Sequence, residues 1–508
     1  MAGTSDLTTT QVVVVGAGPV GLMLAGELRL GGAEVVVLER LDAPTTESRA
    51  STLHARTMEI MDSRGLLDKV GTPPNDIMGH FGGLPLNLAL PSPYPGQWKV
   101  TQVRVEQILQ EWAASLGADI RRGHEVTGLT AGPNDVEIQA SGPNGSVRWT
   151  AQYVVGCDGE QSTVRRLIGA DFPSKAGSPD SKLERVLIRA DVDGINIPNR
   201  RFQQLEKGLA IAARREDGVT RVMVHEFGHM AERGTSRAEF TDIADAWMRV
   251  TGEDIRGRTP LWVNTFSDAS RQLSRYREGR VLFAGDAAHQ QMPIGGQAIN
   301  LGLQDAVNLG WKLALEVRGR ASAELLDTYH RERHPVGDRV LSNIRAQATL
   351  LLGGPQMGAL RSVMGELIAV SDVRVKLASM ISGLDIRYDV GPGANPLLGA
   401  RMPHTELATA SGITSSTTLL RTGRGVLLVL TDDKASLELL EAAAAPWTGL
   451  VDLVPARLAP GNQPLGTDAI LIRPDGYVAW TGPGSTDLTT ALRHWFGESA
   501  ASTKPRTM

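Results

Sequence analysis

Glycine and acidic residues recur in three short runs whose chemistry suits a nucleotide: GAGPVG at 16–21, GCDG at 156–159 and GDAAHQQMPIGG at 285–296. In the first, Gly16, Gly18 and Gly21 form GxGxxG. Gly16 allows a tight turn, Gly18 lets the backbone approach a pyrophosphate, and Gly21 lets a helix pack closely on a strand. Pro19 fits a first helical turn, where its missing N–H is not needed. The helix start offers unpaired N–H groups and about half a positive charge to an anion. Glu39 stands 18 residues after Gly21, near the ~20 at which a carboxylate reaches a ribose hydroxyl. That carboxylate also repels a 2′-phosphate, so the resident dinucleotide is expected to be FAD or NAD rather than NADP. Arg40 fits a phosphate contact or a solvated charge.

In the second run, VVGCDGEQSTVRRLIG, a strand meets Asp158, followed by Arg165 and Arg166. In the third, a buried strand ends at Gly285 and Asp286, and a turn with Pro293, Gly295 and Gly296 leads into a helix carrying Asn300. Asp286 at a strand's end can accept hydrogen bonds from a polyol such as a ribityl chain. The glycines let a planar ring lie against the backbone, and N–H donors at the helix start stabilise negative charge on that ring.

Two further patterns carry less. His225, Glu226 and His229 spell HEFGH, the zinc-protease pattern HExxH, which requires a helix to bring both histidines to one ion. The flank GVTRVMVHEF alternates like a strand, where the two rings would stand about 13 Å apart at ~3.3 Å per residue, so no metal is expected. His225 and Phe227 are candidates for the wall of a substrate cavity, with ordinary sheet residues as the alternative. His289 fits a ring-side acid or base and a satisfied structural histidine equally, so no catalytic side chain is assigned. Trp262 and Trp311 read as core.

These residues need elements to position them. The β-branched run Gln11–Val15 reads as a strand buried on both faces, Val20–Leu30 as a helix ended by Gly31 and Gly32, and EVVVL (34–38) as the next strand. A helix is expected near 105–116 and alternating strands between 120 and 155. From about 182 to 266 alternating strands with one helix near 238–250 look like an antiparallel sheet inserted into the nucleotide-binding domain. A strand at 281–284 precedes helix over 297–317 and more helix from 323 to about 382. GPGANP (391–396) marks a linker, and the last ~110 residues have their own strands and closing helix. The fold expected is α/β. A Rossmann-like domain would comprise 1–72, 100–181 and 267–395, and a substrate-binding sheet domain 73–99 and 182–266. Residues 396–508 would form a third domain.

Composition narrows the class. With 508 residues the chain supports about three domains. Its 52 basic and 56 acidic residues give a net charge of -4, which favours neither nucleic acid nor an anionic membrane surface. No apolar run reaches the ~18 residues of a membrane span, and MAGTSDLTTT lacks a basic n-region. The single cysteine, Cys157, excludes an internal disulfide, a CxxC pair and a cysteine-rich zinc site. A cytoplasmic protein is expected; oligomeric state is unspecified, and a homodimer stays open.

Taken in order, GAGPVG…ER, GCDGEQSTVRR and GDAAHQQMPIGGQAIN resemble the class A flavoprotein monooxygenases of the p-hydroxybenzoate hydroxylase type. The length, inserted sheet and extra C-terminal domain resemble the branch acting on aromatic polyketides such as angucyclines and anthracyclines. The resemblance implies a thioredoxin-like C-terminal domain, here without redox cysteines. It implies that Arg49, in SRASTLHARTMEI, reaches the FAD and that Gln102 contacts its ribityl region. It gives Asp158 and Arg165 a role with both FAD and NADPH, and it makes Asp286, Pro293, Gly295, Gly296 and Asn300 the cradle of the ribityl chain and ring. Pro293 would also border the substrate.

The activity implied is single-component: FAD stays bound, NADPH visits, O₂ adds to the reduced ring, and a C4a-hydroperoxide hydroxylates an electron-rich phenol. The protein would supply orientation, a dry cavity and dipoles. Baeyer–Villiger insertion or epoxidation is the nearer alternative, and a non-catalytic flavin-binding interaction protein the more distant one. A second GxGxxG, as needed to dock NADPH on its own domain, and the WxWxIP run of flavin halogenases are both absent from the sequence.

Overall fold

The computed structural model describes residues 7–46, 50–175, 183–215, 218–232, 238–321, 323–482 and 487–498. Strand β1 (Leu7–Val15) leads through GAGPVG into α1 (Pro19–Leu30) and then β2 (Val35–Leu38). Helix α2 (Gln102–Ser115) follows, and β3 (Gly145–Gly156) runs parallel to β1 on the side opposite β2. One row across the sheet reads Val36, Val13, Val154 and Val281. The run lacks alternating polar residues because β1 is central: Val12, Val13 and Val14 are all fully buried, each adding roughly 1.5–3 kcal/mol of apolar burial. Small residues let α1 approach its neighbours. A Cβ on Gly26 would stand 2.1 Å from the Trp112 ring of α2.

The inserted sheet is antiparallel and six-stranded. At its centre β4 (Leu183–Asp193) pairs with β5 (Thr220–Glu226) and with residues 259–267. Helix α3 (Phe240–Thr251) starts with a reciprocal Glu239–Asp242 capping box and stops at left-handed Gly252. Its Ile243, Trp247 and Val250 cover one face of the sheet through Ala190, Val192, Val222 and Val224. The opposite face, through Leu187 and Leu209, packs on Met292, Ile294, Ile344, Ala348 and Leu351. HEFGH lies on this sheet as expected: His225 is in β5, and Gly228 (φ 79°) turns the chain before exposed His229. No group of metal-ligating side chains occurs among the described residues.

Strand β6 (Val281–Phe283) returns to the first sheet beside β3. Helix α4 (Gln297–Val317) has the bounds read from sequence, and α5 (Ala323–Leu352) continues through Pro335. The helical stretch expected to about 382 is present in pieces, the first ending at Leu352. Gly354 (φ 76°) breaks it, and two further helices cover 358–369 and 371–382. Residues 73–99, expected with the inserted sheet, pair among themselves and, through Gln97–Trp98, with Leu53–His54. They reach the sheet by side chains, with the His80 and Phe202 rings 4.1 Å apart.

In the C-terminal part β7 (Gly425–Val429) pairs in parallel with β8 (Val451–Pro455) and antiparallel with β9 (Ala469–Ile472), which pairs with β10 (Val478–Gly482). Helix 434–444 and α6 (Leu488–Phe496) complete an α/β unit without cysteine. Among the described residues, no helix is long and apolar enough to cross a membrane.

Candidate active site

Parallel β1, β3 and β6 end side by side, at Val15, Gly156 and Phe283, so the three glycine turns share one edge of the sheet. Ligands of such sheets bind at the carboxyl ends of the strands. Gly16 adopts φ 105°, and a Cβ there would lie 2.5 Å from Cys157 O; one on Gly21 would lie 2.0 Å from Gly16 O. Around Gly18 a Cβ would meet nothing within 4 Å, so this face of the turn is open to a partner. Pro19 is the first residue of α1, and no side chain caps that helix. Glu39 is held at the turn by accepting from Ala17 N (2.8 Å) and Leu41 N (2.9 Å). Arg40 beside it is exposed.

Asp158 Oδ2 accepts from Thr163 N (2.7 Å) and Val164 N (3.0 Å), while its buried Oδ1 has no hydrogen-bond partner. The Arg165 guanidinium donates to Ala287 O (2.9 Å) and Glu160 O (2.5 Å) and lies over the Phe172 ring. It therefore staples the second turn to the third. Burial lowers its pKa from the ordinary arginine value, partly offset by the nearby Asp158 and Glu160 carboxylates.

In the third turn Gly285 is left-handed and Asp286 is exposed on a single 3-10 turn. Beneath it, fully buried Asp305 accepts from Gly285 N (3.2 Å), His289 Nε2 (2.7 Å) and Arg333 Nε (2.7 Å). Burial alone would raise its pKa; Arg333 and His289 outweigh that and hold it below the usual carboxylate range. His289 is fully buried and tied to Asp305 through Nε2, while its Nδ1 has no hydrogen-bond partner.

Gly295 and Gly296 have φ of 67° and 68°. Asn300 Nδ2 donates to Gly296 O (2.7 Å) and Thr52 O (3.0 Å), and its Oδ1 accepts from His54 N (2.8 Å). Gln102 pins the chain just upstream of Thr52, exchanging hydrogen bonds with Ala50; Arg49 lies outside the described residues. Pro293 is exposed between Met292 and Ile294, which join the apolar layer under the inserted sheet. Phe227 borders this layer, whereas His225 is buried and its Nδ1 is bound to Val186 O (2.8 Å).

The sequence reading missed His54, Gln297, Asn343 and Gln347, all buried around the third turn. A signal existed: Gln297, Asn300, Gln304 and Asn308 recur every three or four residues along a largely buried helix, a stripe of amides on a buried element.

Two family models match the chain: FAD binding domain over residues 9–344, and aromatic-ring hydroxylase, C-terminal, over 395–499. The chain belongs to the FAD-binding aromatic-ring hydroxylases. A 12-dehydrotetracycline 5-monooxygenase/anhydrotetracycline 6-monooxygenase of Streptomyces rimosus is 42% identical over 504 residues, covering 96% of this chain and 99% of the relative. A rifampicin monooxygenase of Streptomyces venezuelae is 40% identical over 497 residues, covering 96% and 99%. Among solved structures, CabE, an aromatic hydroxylase from angucycline biosynthesis, superposes with a TM-score of 0.91 at 48% identity, covering 96% and 99%. This aromatic-ring hydroxylase is therefore an FAD-dependent monooxygenase. Its residues fit the cofactor: an open Gly18 face, an uncapped helix start and an unpartnered Asp158 oxygen meet at one edge.

Proposed function

We propose that this hydroxylase acts on a polycyclic, phenolic polyketide, with NADPH and O₂ as co-substrates. Gly16, Gly18, Pro19 and Gly21 hold the FAD pyrophosphate against the N–H groups of α1, and Glu39 binds the adenosine ribose. Arg49 and Gln102, with Asp158, Asp286 and Asn300, hold the ribityl side. Gly295 and Gly296 present their backbone to the ring. Bound FAD supplies the redox chemistry, carrying two electrons from NADPH and making one atom of O₂ electrophilic toward a phenol. The protein excludes water and fixes the pose. One observation carries this reading: the apolar layer of Leu187, Leu209, Met292, Ile294, Ile344 and Leu351 stands directly beside the Pro293–Gly296 turn. A flat, largely apolar substrate fits such a wall, and the relatives' names refer to polycyclic compounds of this kind.

The test is anaerobic reduction of the purified holoenzyme by NADPH with and without polycyclic phenols, followed by oxygen and mass analysis. Faster flavin reduction with a phenol and a product one oxygen atom heavier are expected. NADPH oxidation indifferent to every phenol, with all oxygen recovered as hydrogen peroxide, would overturn the reading.

A further inference from the structure

A chain of amides runs along α5 to the third turn. Gly82 N donates to Gln347 Oε1 (3.2 Å), Gln347 Nε2 to Asn343 Oδ1 (3.2 Å), and Asn343 Nδ2 lies 3.5 Å from Gln297 Oε1. The chain stops there: Gln297 is 3% exposed, and its Nε2 has no hydrogen-bond partner. His54, fully buried, flanks the same turn. Its Nε2 donates to Gly295 O (2.7 Å), and its Nδ1 has no partner. Burial depresses the His54 pKa to about 4, so the ring is neutral and Nδ1 carries a free lone pair. A Cβ on Gly295 would stand 3.7 Å from Gln297 Nε2, and one on Gly296 3.7 Å from His54 Nε2. Two buried side chains, each with one unpaired polar atom, therefore flank one glycine pair, His54 turning its bonded Nε2 toward it. Buried polar atoms are rarely left unpaired. Ile344 and Ala348, neighbours of Asn343 and Gln347 on α5, belong to the apolar layer, so polar and apolar walls meet here.

We propose that His54 and Gln297 are the specificity-determining pair that orients the substrate, His54 Nδ1 accepting from a ring hydroxyl and Gln297 Nε2 donating to a ring carbonyl. The ligand class is an aromatic hydroxy-ketone, and the proposal rests on the substrate class proposed above. Two deprotonated oxygens on one edge would lack the hydrogen that Nδ1 requires.

The experiment titrates the FAD-loaded enzyme, at mildly acid pH, with 2-hydroxyanthraquinone and with 2-methoxyanthraquinone, reading binding by flavin fluorescence. The wild-type protein is expected to bind the hydroxyl compound about tenfold more tightly, the ratio of one ordinary hydrogen bond. His54→Phe brings that ratio to about one. His54→Asn returns an acceptor near the Nδ1 position without the Nε2 bond to Gly295, and restores the preference. Gln297→Met weakens both compounds about tenfold and leaves the ratio intact. FAD affinity, measured separately by reconstitution of the apoprotein, stays unchanged in His54→Asn and Gln297→Met. Equal binding of the two quinones by the wild-type protein overturns the pair alone. So does loss of FAD affinity in these two variants, which would give the atoms to the flavin. Failure of either quinone to bind at all removes the substrate class, and the pair with it.

Discussion

Two polar regions at opposite ends of α4 are built by contrary means. At its start, the glycine turns use mostly backbone groups and short side chains, and they leave the Gln297 donor, the Asp158 and His54 acceptors and one face of Gly18 unmet. At its far end, where the C-terminal unit docks, the polar atoms are charged and consume one another. Fully buried Arg473 donates to both oxygens of Glu332 (2.6 and 2.9 Å) and to Asp475. Lys312 Nζ donates to Glu332 and Asn308 (both 2.8 Å), and Trp311 Nε1 to Asp475 (3.3 Å). Nearby, Arg64 joins Glu27 of α1 to the carbonyls of Leu420 and Pro474. Open valence marks the region that must receive something. Saturated valence marks the one that must stay shut.

The largest break in that contrast should come at the junction. Arg473→Met leaves Glu332 and Asp475 buried without their main counter-charge, so about 3–5 kcal/mol of stability should be lost, read by chemical denaturation. A loss below ~1 kcal/mol would mean the junction is wet.

The turns should yield less, and unequally. Gly21→Ala drives a Cβ into Gly16 O and should cost roughly 1–3 kcal/mol together with flavin content. Gly18→Ala meets no protein atom, so its stability should change by less than ~0.5 kcal/mol while flavin affinity falls at least about tenfold. Equal thermal shifts in the two variants would remove the distinction between an open and a filled glycine.

Much of the first region was legible and almost none of the second. GxGxxG, the buried valine run and the exact span of α4 follow from local rules: a helix cannot begin before two left-handed glycines, and a strand buried on both faces has no alternation to hide. Nothing local pairs Glu332 with Arg473, 141 positions on, or Arg64 with Pro474, 410 positions on. Such charges read as surface until the fold closes over them. His54 and Gln297 escaped for another reason: their meaning lies in an absent partner, which spacing does not reveal.

Acid should sharpen the comparison further. Burial alone would raise the pKa of Glu332, but Arg473 and Lys312 hold it at about 2, against an ordinary value of 4.5. The folded state therefore binds fewer protons than the unfolded chain between these values. Glu332's contribution is present above pH 4.5 and is lost as pH falls toward 2, at up to ~1.4 kcal/mol per pH unit. Glu332→Gln should flatten that part of the stability–pH curve, and an unchanged slope would argue against the ion pair. The smallest effect belongs to Cys157, whose thiol burial pushes well above its ordinary pKa. It should resist thiol reagents in the native protein and react only on unfolding; prompt labelling would show that the second turn opens.

Helix α4, at ~1.5 Å per residue about 32 Å long, is the shared wall of both regions. This bears on chimeras. Exchanging the last hundred residues for those of a relative also exchanges Arg473 and Asp475, and the recipient's Glu332 and Lys312 must then find matching charges in the graft. Shuffling for new substrates should therefore cut inside the inserted sheet and keep α4, α5 and the terminal unit from a single parent.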